Sequence, residues 1–240
     1  MKIKSAQHII GFGSRKIPYR LHRADRKHLR IVVSPELTVD IFAPLSASNE
    51  QVQAAIKKKV PWIARTLEKI AGYYPLPTPK RYLSGETFVY LGRQYRLKVE
   101  NGFRQPAKLL GRFLWVWAQD KTDAQSVKRA VEAWYRKRAH ETLDRYMEKC
   151  YRIASRHGVP KPQMVIRLMG RRWGSCSPSG RITLNVNLVK VPVHCIEYVI
   201  IHELCHLKNH NHSKTFYSLL TRCQPDWRNR KQTLDKFRLS

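Results

Sequence analysis

Apolar and polar residues alternate through LRIVVSPELTVDIFAP at residues 29–44, on both sides of a Ser-Pro pair. Successive side chains of a strand point to opposite faces, so this period of two predicts two short strands joined as a hairpin. The pattern returns in GETFVYLGRQYRLKVE at 85–100, with a turn at Gly92, and KLLGRFLWVWAQ at 108–119 adds a strand or a pair of strands. Residues 1–120 are therefore predicted to be rich in β-structure.

Two segments change to the three- and four-residue spacing of a helix. Residues 46–74 have this spacing from Val52 onwards, and Pro61 within them predicts a kink or two helical pieces. Residues 123–157 contain neither Pro nor Gly and keep an apolar stripe, so they are predicted to form one long amphipathic helix. After the first of these segments, PLPTPK at 75–80 indicates an extended connector.

The last third of the chain returns to strands before a final helical pattern. QMVIRLM at 163–169 predicts a strand, GRRWGSCSPSG at 170–180 a loop, and RITLNVNLVKVP at 181–192 a second strand. From Val193 to about Lys208 the apolar positions recur at helical spacing. This helical stretch carries the most unusual group of polar residues in the sequence.

Taken in order, these elements predict an α+β protein of two regions. Residues 1–120 form a β-rich N-terminal region with a helical insert, and residues 121–240 form a second domain that starts with the long helix. No internal repeat is evident along the sequence. A chain of 240 residues is long enough to build ordinary cores, so folding needs no disulfide or metal staple.

Charge is the compositional extreme of this sequence, because 46 Lys and Arg against 17 Asp and Glu give a net charge of +29. Such a field attracts polyanions, which makes nucleic acid, nucleotides or an acidic partner candidate ligands. A basic protein can equally be no more than soluble, and the excess is spread along the whole chain. Charge therefore points to a class of partner without locating the face that binds it.

Cysteine usage and hydropathy indicate the compartment. The five cysteines are odd in number and have no C-x-x-C spacing, which indicates reduced thiols in a cytoplasmic protein. The basic N-terminus lacks the apolar core of a signal peptide, and no window approaches the length of a membrane span. We therefore expect a soluble, cytoplasmic protein without a membrane partner.

The largest concentration of potential metal ligands and catalytic residues lies in VIIHELCHLKNHNH at residues 199–212. Its HELCH segment is an H-E-x-x-H motif, and on a helix His202 and His206 share a face and can bind one metal ion. Glu203, turned by about 100° from His202, would lie beside the metal, where it suits a base that acts on metal-bound water. Burying these polar groups on an apolar helix without a metal would be costly.

The third protein ligand is less obvious from the spacing, although a catalytic zinc ion usually takes three and leaves a fourth position for water. His210 continues the four-residue series, but on a straight helix it lies about 12 Å from His202, too far to share one ion. His212 can reach the metal if the helix ends near Asn209, because Asn tolerates the left-handed conformation at a helix C-terminus. The spacing therefore favours His202, His206 and His212 as ligands of one Zn²⁺ ion per chain.

Several stretches of the sequence resemble the YgjP-like metal-dependent hydrolases, relatives of the SprT-like and other small zincin peptidases. The resemblance covers most of the chain and is carried by WGSCSPSGRITLNVNLVKVP, YVIIHELCHLKNHNHSKTFYSLL and PDWRNRKQTL, with GETFVYLGRQYRL and KKKVPWI upstream. It implies a C-terminal zincin-like metallopeptidase domain in which His202, His206 and His212 bind zinc and Glu203 is catalytic. It also implies that the loop at 172–176 lies near the active site, although packing of that loop against the core is an equal alternative.

Three functions remain open on the sequence. The first is a zinc metallopeptidase acting on a protein or peptide, with nucleic-acid-associated substrates suggested by the SprT-like relatives; the strand at 181–189 could then pair with an extended substrate. The second is a nucleotide phosphohydrolase that uses the same water, although no glycine-rich phosphate loop accompanies it. The third is a nucleic-acid-binding protein with a structural metal site, which an open three-histidine site beside Glu203 opposes.

Overall fold

A computed structural model of the chain describes residues 6–13, 15–34, 36–71, 80–102, 105–170 and 172–237. The chain divides into two compact units, Met1–Pro79 and Lys80–Ser240. This boundary differs from the one expected at residue 120, because the strands between residues 87 and 118 bury their apolar side chains in the same core as the long helix. The connector predicted at 75–80 lies outside the described residues, except for its last residue.

The first unit is a four-stranded sheet followed by one helix. Its elements are β1 (Ala6–Phe12), β2 (Arg15–Ala24), β3 (Arg30–Val33), β4 (Val39–Pro44) and α1 (Asn49–Ala71). The strand order is β1-β2-β4-β3; both hairpins are antiparallel, and the central pair, β2 with β4, is parallel. The hairpin predicted at 29–44 is present as β3 and β4. The first hairpin is not apparent in the sequence, because its strands do not alternate cleanly.

Helix α1 continues through Pro61 as one helix, although the sequence predicts a kink or two pieces there. Proline removes one backbone donor and so weakens a helix locally. Burial on both sides of it compensates, since Ile56, Val60 and Ile63 are buried in one cluster with Ile41 of β4. Packing of this apolar face against the sheet keeps the two halves in one helix.

The second unit begins with a sheet of the same topology as the first. Its strands are β5 (Thr87–Tyr90), β6 (Arg93–Asn101), β7 (Lys108–Leu110) and β8 (Phe113–Ala118). Their order is β5-β6-β8-β7, again with two antiparallel hairpins and a parallel central pair, and helix α2 (Ala124–Ser155) follows. The chain thus repeats a unit of two hairpins and a helix. The sequence conceals this repeat because the two copies share a pattern rather than residues.

A small mixed sheet comes next in the second unit. It consists of β9 (Gln163–Arg167), β10 (Gly174–Cys176) and β11 (Arg181–Asn185) in the order β10-β11-β9. The strand predicted over 181–192 ends at Asn185, whose side chain accepts a hydrogen bond from the Asn187 N–H, and a 3₁₀ turn follows at Val186–Lys190. Because both edges of β11 are already paired, this strand cannot pair with a substrate, which corrects the expectation for residues 181–189.

Three helices complete the second unit, α3 (Val193–His206), α4 (Lys214–Cys223) and α5 (Trp227–Leu234). Helix α3 is deeply buried, with Ile200 and Leu204 fully enclosed. Its Glu197 carboxylate accepts charge-assisted hydrogen bonds from Lys149 of α2 and Arg230 of α5, each at 2.6 Å. The Glu197 side chain is only 13% exposed, so water screens these bonds weakly and they hold α3 against its neighbours.

The α+β class predicted from the sequence is confirmed, since the described residues form helices and mixed sheets. All five cysteines are free, and four of them are buried, as expected for packing residues. Across the part of the chain that the structure describes, we find no helix whose length and apolarity would let it cross a membrane.

Candidate metal centre

The histidines of the H-E-x-x-H motif lie in the last two turns of α3. His202 and His206 are one turn apart, with ring centroids 4.9 Å apart and Nε2 atoms 3.2 Å apart. Burial, with the neighbouring histidines, lowers the pKa of His202 to about 3, and burial lowers the pKa of His206 as well. Both imidazoles are therefore neutral at neutral pH, which is the form that binds a metal.

Helix α3 ends directly after these two histidines. The N–H groups of Lys208 and Asn209 bond to the Cys205 carbonyl at 3.2 and 3.0 Å, which tightens the last turn. His206 Nδ1 donates a hydrogen bond to the Asn209 carbonyl at 3.0 Å, and this leaves Nε2 free for a metal. The positive φ expected for Asn209 is absent, so the chain turns here through backbone bonds rather than through a left-handed residue.

The turn brings His212 back beside the other two imidazoles. Its Nε2 lies 3.1 Å from that of His202, and one ligand atom from each of the three histidines lies within 4.8 Å of the others. Ser213 caps α4 by accepting a hydrogen bond from the Phe216 N–H, so His212 immediately precedes a fixed helix start. The Phe216 ring is fully buried and lies 4.5 to 5.0 Å from all three imidazole centroids. It forms an apolar floor beneath the histidines.

His210, the alternative third ligand, lines the same cavity but does not belong to the cluster of converging nitrogens. The three histidines that do converge fit a transition metal. Three nitrogens held about 2.0–2.1 Å from a tetrahedral zinc ion lie about 3.3 Å apart. The Nε2 separations from His202, 3.2 and 3.1 Å, are close to that value. Imidazole suits zinc, copper, iron and nickel alike, so the donor type admits several ions.

Glu203 lies in the same cavity and is only 7% exposed. Burial raises its pKa to about 7, and the positive charge of Arg172 opposes part of that rise. A carboxyl group with a pKa near neutrality can both accept and donate a proton. The carboxylate packs against bare backbone, because a Cβ added to Gly174 would lie 2.8 Å from Glu203 Cγ and Oε1.

The close approach at Gly174 predicts a specific sensitivity. Gly174→Ala is expected to displace the Glu203 side chain, lowering activity at least about tenfold and the free energy of unfolding by about 1–3 kcal/mol. Thermal unfolding and turnover of the purified variant measure both effects. Gly170→Ala is the matched control, because a Cβ added there meets nothing within 4 Å. Equal turnover and equal stability of the two variants would contradict the packing argument.

An open cavity of about 360 Å³ surrounds the histidines and Glu203. The expectation that the loop at 172–176 lies near the site is met by four of its residues, Arg172, Gly174, Ser175 and Cys176, which line the cavity. Trp173 is the exception and packs against the core instead. The loop therefore combines both roles that the sequence left open.

A buried amide, Asn185, holds this loop in position. Its Nδ2 donates hydrogen bonds to the carbonyls of Met169 at 2.6 Å and Arg172 at 2.8 Å, and its backbone N–H bonds to the Trp173 carbonyl at 2.9 Å. Asn185 is fully buried, so water does not compete for its own amide group. Sequence reasoning misses this role because alternation in residues 181–189 assigns Asn185 to the polar face of a strand. No local signal sets it apart, because Thr183 and Asn187 alternate with apolar residues in the same way.

Removing the Asn185 amide should loosen the loop that carries Arg172. Asn185→Ala removes the hydrogen bonds to two backbone carbonyls and opens a small cavity at a fully buried position, so we expect a loss of about 2–4 kcal/mol in the free energy of unfolding. Urea unfolding measures this change. Asn101→Ala makes the same substitution at an exposed site with one hydrogen bond, from the Lys121 N–H, and is expected to cost under about 1 kcal/mol. A loss no larger at residue 185 than at residue 101 would disprove the anchoring role.

Comparison with known proteins places this site in a family. No curated protein sequence matches the chain. A solved structure of the metallopeptidase zymogen abylysin from Pyrococcus abyssi is 26% identical, over 40% of this chain and 90% of that chain, with a TM-score of 0.34. The YgjP-like family, described as a metallopeptidase domain, matches residues 27–237, which include the converging histidines. Since this match spans most of the chain, the protein is a metal-dependent hydrolase and belongs to the YgjP-like metallopeptidase family.

Proposed function

We propose that the protein is a zinc-dependent peptidase in which His202, His206 and His212 hold one zinc ion per chain and Glu203 is the catalytic base. The observation that carries this proposal is the convergence of three imidazole nitrogens within 4.8 Å of one another, in the same cavity as a buried carboxylate. Three ligands leave a fourth tetrahedral position open, which is the arrangement of a catalytic rather than a structural zinc site.

Each group has a distinct task in this proposal. Zinc, when bound, lowers the pKa of a water molecule and polarises the substrate carbonyl. The Glu203 carboxylate takes a proton from the attacking water and then delivers it to the leaving amide nitrogen. Its pKa of about 7, raised by burial, suits both transfers near neutral pH. His206 stays in the correct tautomer because its Nδ1–H is held by the Asn209 carbonyl.

The shape of the site supports an extended peptide as the substrate. Strand β10 (Gly174–Cys176) lies at the edge of its sheet, with β11 on one side, and its residues line the cavity. An extended peptide can pair with such an edge through backbone hydrogen bonds, which places a peptide bond beside the histidines. Arg172, exposed at the same cavity, supplies a cation for an acidic side chain or a terminal carboxylate.

The overall charge supports substrates that are associated with nucleic acid. A net charge of +29 attracts polyanions and would concentrate the enzyme on DNA or RNA and on the proteins bound there. Five free thiols are consistent with a reducing, cytoplasmic location. Both assignments are part of the proposal.

Zinc-loaded protein, chelated protein and chelated protein returned to zinc should be incubated with an unfolded protein, with and without DNA, and with nucleoside triphosphates. We expect peptide cleavage that disappears on chelation and returns with zinc. Zinc-dependent release of phosphate without peptide cleavage would replace the peptidase by a nucleotide phosphohydrolase. DNA binding without hydrolysis of any substrate would favour a binding protein with a structural metal.

A further inference from the structure

The sheet of β5 to β8 has one face that takes no part in the core. Along β8, the buried residues Leu114, Val116 and Ala118 alternate with the aromatic residues Phe113, Trp115 and Trp117. The buried set packs in one cluster with α2, whereas the three aromatic residues do not belong to that cluster. They therefore lie on the opposite face of the sheet, which we call the aromatic face.

The two indole rings of the aromatic face are nearly parallel, and the face is partly open to solvent. The centroids of Trp115 and Trp117 are 6.1 Å apart, and their planes differ by 19°. Phe113 is 39% exposed, and the neighbouring Leu110 of β7 is 47% exposed. Contiguous exposed apolar groups on a soluble protein commonly mark a binding surface.

Cations flank these rings because of the strand register. Trp115 is paired with Lys98 of β6 on one side and with Lys108 of β7 on the other. The Lys98 Nζ lies 4.0 Å from the Trp115 ring centroid, and the Lys108 Nζ lies 5.2 Å from that of Trp117. The Glu100 carboxylate lies 3.8 Å from the Lys98 Nζ. The two strands that flank β8 thus each place a lysine beside its two indole rings.

A glycine, Gly102, leaves room for the Trp117 indole. A Cβ added to Gly102 would lie 2.9 Å from the Trp117 ring, so a side chain there would push the indole aside. The Gly102 N–H bonds to the Ala118 carbonyl at 3.0 Å, which keeps this bare backbone beside the ring. The Gly102 backbone therefore packs against the Trp117 ring and limits its orientation, although the ring is not part of the core.

We propose that the aromatic face binds single-stranded nucleic acid. Unpaired bases stack on aromatic rings, which Phe113 and the partly exposed indoles of β8 supply. The ammonium groups of Lys98 and Lys108 lie over those indoles and can contact the phosphates between the bases. Duplex DNA does not fit the rings as well, because its bases are already stacked on one another. An acidic polypeptide would use the lysines, but its carboxylates do not stack on the indoles as the large aromatic bases do. This proposal is independent of the metal centre and would hold for the metal-free protein.

Fluorescence anisotropy of a labelled fifteen-residue oligothymidylate, titrated with the full-length chelated protein, tests the stacking. Trp115→Ala and Trp117→Ala are each expected to weaken binding by about tenfold. Trp115→Phe and Trp117→Phe should retain most of the affinity. Trp115→Leu and Trp117→Leu keep an apolar side chain without a ring and should lose it, which tests the stacking if the alanine variants unfold. Trp62→Ala is the matched control, because Trp62 is 47% exposed on α1 and is not on the aromatic face.

The salt dependence of the same binding tests the lysines. Lys98→Ala with Lys108→Ala should reduce the slope of log affinity against log salt by about 1.4, or about 0.7 for each phosphate contact. Lys128→Ala with Lys137→Ala removes the same charge from α2, where these two lysines pair with glutamates of the same helix, and should leave the slope unchanged.

Three results would overturn the proposal. The first is unchanged affinity in the folded Trp115→Ala and Trp117→Ala or Trp115→Leu and Trp117→Leu variants, and the second is equally tight binding of heparin, which carries charge without bases. The third is binding of polyglutamate that is weakened by the same tryptophan changes, which would assign the face to an acidic protein. Because all these measurements use metal-free protein, they stand whether or not the peptidase proposal succeeds.

Discussion

Glu203→Gln is expected to remove peptide hydrolysis while leaving about one metal ion per chain. Glutamine has nearly the same shape as glutamate and can pack against Gly174 in the same way, but it cannot accept a proton. General acid–base catalysis contributes about 10²–10⁴-fold to a rate, so turnover should fall by at least about 100-fold. Steady-state kinetics on an unfolded protein, with metal analysis of the same sample, measure both quantities.

Glu197→Gln is the matched control for this substitution, since Glu197 lies on the same helix and carries the same acid. Its carboxylate binds Lys149 and Arg230 and lines no part of the metal site. This variant should unfold at a lower temperature yet retain the turnover of its folded fraction. Undiminished turnover in Glu203→Gln, or an equal fall in both variants, would refute the role of Glu203 as the base.

His212→Ala should weaken metal retention far more than His210→Ala does. His212 contributes one of the three nitrogens that converge at the site, whereas His210 lines the cavity without joining them. Loss of a ligand should exceed the cost of about 10–100-fold in affinity that follows loss of an outer-shell partner. Competition between the protein and a chromophoric chelator gives the affinity of each variant directly.

The same pair of variants also tests the turn between α3 and α4. His210→Ala is the built-in control, because it removes the same side chain two residues away. If that variant loses the metal and His212→Ala keeps it, the chain must reach the ion by a different path from the one in the structure.

Phe216→Leu should weaken metal binding modestly, because it removes the ring that packs against the imidazoles.

The pattern of apolar and polar residues predicted those helices and strands that form through interactions between residues close in sequence. The hairpin of β5 and β6 is visible because Gly92, with a φ of 78°, can occupy a turn position that other residues resist. Helix α2 is visible because its apolar stripe is long and uninterrupted. Helix α1 is not divided into two pieces at Pro61, because burial of Ile56 and Ile63 outweighs one lost hydrogen bond. That balance depends on the sheet, which local pattern does not contain.

The strand expected to continue beyond residue 185 shows the same limit. Ile182 and Leu184 alternate correctly, but the Asn185 side chain bonds to the Asn187 N–H and turns the backbone into a 3₁₀ helix. The boundary between the units follows Pro79 rather than residue 120 for a related reason. Leu97 and Leu114 share a core with the long helix, and no segment-by-segment pattern reveals which distant segment covers a sheet.

The sequence by itself determined the part of the site that is local. Residues four apart on a helix must share a face, so the spacing of His202 and His206 was enough to pair their imidazoles. The offset of Glu203 by one residue was enough to set it beside them. The tertiary structure alone decided the rest, because it depends on segments that are far apart in the chain. It ended α3 at His206, which met the condition for His212 to reach the site, and it set the Gly174 backbone against the Glu203 carboxylate. It also placed lysines on the two strands that flank the aromatic residues of β8.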